Sequence, residues 1–155
     1  MPKPLTPKAV RESKTVLSDL MSPPDANLHG TVFGGKVLAM VDKAAAVAAM
    51  RHAGRLCVTV AMDRVEFLVP IEVGDVVIVE AQVNGVGRSS VEVGVDVYAE
   101  LPGGGPRRHT NSCLVTMVAV DEKRRPAPVP PLLTETRDEK RRASEAASRR
   151  QARRA

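Results

Sequence analysis

Residues 36–53 constrain this chain more than any other stretch. They form an unbroken helix-compatible run closed by Gly54, and seven of the 18 positions are alanine. At ~1.5 Å per residue such a helix is about 27 Å long. So many small side chains let its axis lie very close to a sheet. The sequence offers that sheet: residues 91–98 alternate strictly, with Val91, Val93, Val95 and Val97 on one face and Glu92, Asp96 and Tyr98 on the other. Residues 56–62, 76–83 and 110–120 are further β-branched runs, and residues 15–21 are a shorter one. Turn signals stand between them at 73–75, 84–87 and 102–106. Tight turns of this kind favour antiparallel pairing. The expectation is an α+β fold, one apolar helix embraced by one antiparallel sheet.

One helix covers one face of a sheet, yet the strands at 56–62 and 76–79 are apolar on both faces. Self-association is the simplest cover, so at least a dimer is expected.

The net charge of +5 suggests a nucleic-acid binder until it is located. Residues 137–155 hold eight Lys and Arg against three acidic residues, which accounts for the whole excess and leaves residues 1–136 neutral. Aromatics are 2% of the chain, with no Trp, too few for a base-stacking platform. No run reaches the ~18 apolar residues of a membrane span, and the N-terminal residues lack the apolar stretch of a signal peptide. Cys57 and Cys113 lie 56 positions apart among apolar residues, as buried reduced thiols of a cytoplasmic protein do. His29, His52 and His109 match no metal-ligand spacing.

Two motif matches fail on context. Residues 30–36 fit the first seven positions of a phosphate-binding loop, but Val37 stands where a magnesium-binding hydroxyl belongs and no apolar strand precedes them. Gly85-Val86-Gly87 begins like a dinucleotide fingerprint but joins two strands instead of opening a helix.

The stretch from Pro24 to Gly35 carries the chemistry. Gly34 and Gly35 stand just before the helix, where uncrowded backbone N–H groups at its positive end can hold an oxyanion. Equally, they can simply make a sharp loop. Asp42 has Leu38, Ala39, Ala45 and Ala46 one helical turn away and no cation stacked on it. A carboxylate on an apolar stripe is paired elsewhere, protonated or used. Asn27, before a glycine-containing loop, fits a turn or cap residue.

The run from Asp25 to Gly35 with Val41-Asp42, the run Val58 to Leu68, Val73-Gly74-Asp75-Val76 and Gly87-Arg88-Ser89-Ser90 together closely resemble the acyl-CoA hydrolase branch of the hotdog-fold thioesterases. The resemblance covers roughly residues 12–122. It implies a hotdog fold, a long central helix wrapped by a five- to six-stranded antiparallel sheet, with active sites at a dimer interface. Asn27 matches the asparagine that positions the thioester or water, Asp42 the catalytic carboxylate, and the two come from different subunits. Gly35 matches the glycine whose N–H polarises the thioester carbonyl, with Gly34 beside it. Arg88, Ser89 and Ser90 match a turn near the CoA nucleotide, where Arg pairs with phosphate and the serines donate to it. The bland alternative for Arg88 is an ordinary exposed turn residue.

The implied activity is hydrolysis of acyl-CoA to free acid and CoA. Asp42 acts as base or nucleophile, no metal or redox cofactor takes part, and CoA enters only within the substrate. The implied assembly is a homo-oligomer, a trimer of dimers, cytoplasmic, with no nucleic-acid or membrane partner. The alternatives are a hotdog acyl-thioester hydratase or dehydratase, for which His29 is the one histidine near the loop, and a non-catalytic acyl-CoA-binding protein. Val32, Phe33, Met40 and Phe67 are candidates for lining an acyl pocket. The expected organisation is an N-terminal extension at 1–11, the thioesterase domain at 12–136 and a basic tail at 137–155, partly helical or disordered. The sharper expectation for that tail is that Lys140 to Arg142 gather CoA phosphates.

Overall fold

The computed structural model describes residues 4–154. The first three residues of the expected N-terminal extension and the last residue of the tail lie outside the described residues. Strand β1 (Lys8–Ala9) and strand β2 (Thr15–Leu20) precede helix α1 (Gly34–Ala53). Then come β3 (Cys57–Phe67), β4 (Val76–Val86), β5 (Ser90–Glu100), β6 (Arg108–Ala119), β7 (Leu132–Leu133) and helix α2 (Arg137–Arg154). Five strands form one antiparallel sheet in the order β2-β4-β5-β6-β3, while β1 and β7 pair in parallel beside it. This is the hotdog arrangement.

The periodicity of α1 explains its place. Val37, Met40, Val41, Ala44, Ala45, Ala48, Ala49 and His52 recur at three- and four-residue spacing and are all buried. They meet the inward faces of β4 (Val77, Val79, Ala81, Val83), β5 (Val91, Val93, Val95, Val97) and β6 (Cys113, Val115, Met117, Ala119). Alanine on the helix and valine on the sheet bring the two backbones close. Gly54 ends the helix in the left-handed region at φ 71°, its N–H donating to Met50 O at 2.8 Å.

The structure differs from the sequence reading at several places. Helix α1 starts at Gly34, two residues before the expected run, and Cys57 is only half-buried while Cys113 is buried. Residues 84–86 are the end of β4, with a bulge between Val83 and Gly85, instead of a turn. The basic tail is helical through Arg154, where the sequence suggests fraying, and it lies on the outer face of the sheet. There α2 covers part of the second face of β4: Ala146 is buried, and its Cβ lies 2.8 Å from where a Cβ on Gly85 would stand. The second face of β3 has no such helix over it among the described residues, and Val58 and Val60 on this edge strand are exposed. No described helix is long and apolar enough to cross a membrane.

Candidate active site

Asn27 is held by an Asx turn. Its Oδ1 accepts from the backbone N–H groups of His29 at 2.8 Å and Thr31 at 3.2 Å, and its Nδ2 donates to Thr31 Oγ1 at 2.8 Å. The loop is tied down behind it: Phe33 N donates to Asp25 O at 2.8 Å, and Val32 N to Ile71 O at 2.8 Å. Lys36 pairs with Asp19 at 3.0 Å and Asp25 at 3.5 Å. The Asp25 carboxyl is held below its ordinary range chiefly by the Ser22 backbone N–H, with Lys36 adding to it. This ion pairing turns Lys36 away from Asp42.

Helix α1 begins without a side-chain cap, since its N-cap residue is Phe33. The N–H groups of Gly34 and Gly35 therefore have no acceptor among the described residues. The Phe33 ring folds onto Gly35 and occupies the space a Cβ there would take, and the Phe67 ring lies 3.5 Å from the Cβ position of Gly34. A cavity of about 250 Å³ opens at this helix start, lined among others by Val32, Gly34, Val37, Phe67 and Ile71. Of the expected pocket residues, Val32 and Phe67 line it, Phe33 is exposed over the helix start and Met40 is buried in the core.

Asp42 lies seven residues beyond Gly35, two helical turns further on the same side and about 10 Å along the axis. Its Oδ1 accepts from the Thr59 hydroxyl at 2.6 Å. The sequence reading assigns Thr59 no role, because only the register of β3 against the helix brings it to Asp42. No described cation pairs with Asp42, and no hydrogen bond joins Asn27 to it. The histidine that a hydratase reading requires, His29, is exposed on the loop, and its ring has no hydrogen-bond partner among the described residues.

Thr59, Met117 and Val91 stand in one row across β3, β6 and β5. At ~4.8 Å per strand, the turn at residues 87–90 lies about 10 Å from Thr59 at the same end of the sheet. In it Gly87 N donates to Ser90 O at 2.9 Å, Ser89 O accepts from Ala119 N, and Arg88 O from Val129 N. Arg88 is exposed and free of carboxylates among the described residues. The structure thus sets Asp42, in the middle of α1, beside Thr59, with the Arg88–Ser90 turn across the sheet from Thr59. Gly34, Gly35 and the apolar cavity lie at the start of α1.

Residues 29–104 match the family model of the thioesterase superfamily. The uncharacterized acyl-CoA thioester hydrolase YkhA of Bacillus subtilis is 42% identical over 129 residues, which are 83% of this chain and 75% of that protein. The chain belongs to the thioesterase superfamily. Among solved structures of such thioesterases, an apo-hexameric acyl-CoA thioesterase superposes with a TM-score of 0.91 at 41% identity, covering 97% of this chain and 96% of the other. The acyl-CoA hydrolase of Staphylococcus aureus, in complex with butyryl coenzyme A, coenzyme A and coenzyme A disulfide, superposes at 0.86 with 37% identity, covering 95% and 92%. Structures of that enzyme with an asparagine, an aspartate or a threonine replaced by alanine also match, and the three replaced positions follow one another at intervals of 15 and 17 residues. In this thioesterase Asn27, Asp42 and Thr59 stand at the same intervals.

Proposed function

We propose that this chain hydrolyses acyl-CoA, adding water across the thioester to release a free acid and CoA. The observation that carries this reading is the pairing of a helix-borne carboxylate, Asp42, with the Thr59 hydroxyl at 2.6 Å, on the same side of α1 as the uncapped N–H groups of Gly34 and Gly35. A donor of that kind, set where the oxyanion develops, contributes about 3–4 kcal/mol to the transition state. Asn27 orients the thioester or the water. The names of the relatives and the CoA complexes of the S. aureus enzyme support the substrate class.

The ~10 Å between Gly35 and Asp42 is too long for both to serve one carbonyl within a subunit. Each site therefore takes Asn27 and Gly35 from one subunit and Asp42 with Thr59 from another. The uncovered edge and exposed valines of β3 supply a surface for that pairing. The hexameric state of one structural neighbour supports a trimer of dimers. Arg88, Ser89 and Ser90 receive the phosphates of the CoA nucleotide, and the reaction is placed in the cytoplasm.

Asp42 acts in one of two ways: it draws a proton from water, or its oxygen attacks the carbonyl and water opens the resulting anhydride. In either case the C–S bond breaks and the thiolate leaves as CoA, taking up a proton. The test is release of free thiol from acyl-CoA by wild type and Asp42→Asn, both checked for an intact oligomer. Loss of turnover by a factor of 10³ or more is expected; wild-type kcat in the folded variant overturns the assignment. Single turnover in ¹⁸O-water tests for the anhydride: label in the Asp42 carboxylate requires that water open an anhydride at its Cγ, whereas the general-base route puts label in the product acid alone.

A further inference from the structure

The outer face of the sheet carries a device that the reaction at α1 does not use. Helix α2 is seated on the Gly87–Ser90 turn by contacts at successive helical turns. Ala146 lies over Gly85, where a Cβ would come within 2.8 Å of it. Arg149 makes a two-pronged bond to the buried Glu92, at 2.9 and 2.8 Å, and Glu92 also accepts from Asn84 Nδ2 at 3.3 Å. One residue further, Arg150 Nη1 donates to Val86 O at 2.8 Å, and its Cδ lies 3.1 Å from where a Cβ on Gly87 would stand. The arginine shaft thus rests on the turn itself, where a Cβ on residue 87 would press on it and, more tightly, on Ser90 Oγ at 2.5 Å.

The charges along α2 are spent unevenly. Arg141 and Arg142 pair with Asp138, Arg141 also with Glu145, Arg149 with Glu92, and Arg153 lies 3.7 Å from Asp63. Arg150 has no carboxylate partner among the described residues. One donor on a carbonyl leaves its full positive charge and four further N–H groups. Arg88, the other arginine at this turn, is equally without a carboxylate. Two uncompensated guanidinium groups therefore stand at one turn, beside Ser89 and Ser90, whose hydroxyls have no partner among the described residues.

We propose that Arg150 of α2 is a positioning residue for the anion-binding turn Gly87–Ser90, fixing its backbone through Val86 O and adding a second positive charge for the phosphates of the CoA carrier. This rests on the reading of that turn given above. It also relocates the contribution of the basic tail, from Lys140–Arg142 near the helix start, where two arginines are neutralised within the helix, to its third and fourth turns.

The test compares wild type, Arg150→Met, Arg150→Lys and Arg88→Met in the full chain, with two substrates of the same acyl group: acyl-CoA and the phosphate-free acyl N-acetylcysteamine thioester. Arg150→Met should raise KM for acyl-CoA about tenfold at low salt, leave kcat within twofold, and leave KM for the phosphate-free thioester unchanged. Arg150→Lys should recover part of the loss, and added salt should shrink the difference. Calorimetric titration with CoA alone should show the same weakening. Equal effects on both thioesters, or an unmoved KM in Arg150→Met while Arg88→Met raises it, would overturn the proposal and leave the turn reading intact. If neither arginine matters while acyl-CoA is turned over, the turn reading falls and this proposal with it. If wild type leaves acyl-CoA intact, the hydrolase reading falls as well.

Discussion

The Thr59 hydroxyl donates to Asp42 Oδ1 at 2.6 Å, tying the edge strand β3 to the middle of α1. A hydrogen bond to a carboxylate is worth about 1.5–3 kcal/mol, and here it fixes which way the oxygen atoms of Asp42 point. Thr59→Val keeps the β-branched shape and removes the donor. Its kcat for acyl-CoA should fall about 10- to 100-fold with KM little changed, and Thr59→Ser should retain most activity. A wild-type kcat in Thr59→Val would detach Thr59 from the site.

Gly34 and Gly35 make a paired test. A Cβ on Gly35 collides with the Phe33 ring, whereas one on Gly34 meets Phe67 Cζ at an ordinary 3.5 Å. Phe33 is exposed and free to swing, so Gly35→Ala should fold normally while the displaced ring intrudes on the helix start. Thiol release should drop about 100-fold in Gly35→Ala and less than about threefold in Gly34→Ala. Equal losses in the two variants would mean that crowding by Phe33 is not what Gly35 avoids.

The seat of α2 can be measured by a double-mutant cycle. Gly85→Ala drives a methyl group against Ala146 Cβ, now 2.8 Å from its place, and overpacking of this kind costs about 1–3 kcal/mol. Ala146→Gly costs about 1 kcal/mol through helix propensity. Together they should cost less than the separate effects predict, because the glycine makes room for the new methyl group. Urea unfolding of the four proteins gives the coupling, and strict additivity would place α2 away from Gly85 in solution.

Two ion pairs on α2 should differ sharply. The Arg149 to Glu92 pair joins a carboxylate only 6% exposed to a guanidinium 18% exposed, whereas Arg141 and Glu145 are both about half exposed. Arg149→Met strands a buried carboxylate with Asn84 alone, so a loss of about 2–4 kcal/mol is expected. Arg141→Met should cost under about 1 kcal/mol. Comparable losses in thermal or urea unfolding would show that Glu92 is hydrated and that α2 is only loosely seated.

What the sequence discloses of this fold follows from how local each signal is. The alternation in β5 is a nearest-neighbour pattern, and the structure keeps it: Val91, Val93, Val95 and Val97 are buried against α1. Gly85 misleads, because glycine reads as a turn wherever it stands, while its reason here is a contact with Ala146 sixty-one residues away. The docking of α2 is equally hidden. Its buried residues are Glu139 and Ala146, with Arg149 and Arg150 half-buried against glycine seats and Glu92 on distant strands, so it shows no apolar stripe. Asp42 stands out as a carboxylate on an apolar helix face, but nothing near it in sequence names Thr59. The strand register supplies that partner.

His52 makes the stability of this fold acid-sensitive. It is fully buried at the end of α1, with Nε2 2.7 Å from Pro130 O and Nδ1 without a partner. A carbonyl only accepts, so Nε2 carries the proton and the ring is neutral. A second proton on Nδ1 would be a buried donor with nothing to bond. Burial therefore holds the imidazole below its ordinary value, with the nearby Lys8 acting in the same direction and Pro130 O and Glu12 opposing. In the unfolded chain the ring protonates near pH 6.5, in the folded one only lower. Below about pH 6.5 the unfolded state thus binds more protons, and stability falls with pH at up to about 1.4 kcal/mol per unit until the folded ring also titrates. His52→Gln can keep a donor to Pro130 O and removes the titration. Between pH 7.5 and 5.5, wild type should lose about 1 kcal/mol more unfolding free energy than His52→Gln. Parallel losses in the two proteins would show that the imidazole is charged, or solvated, in the folded state.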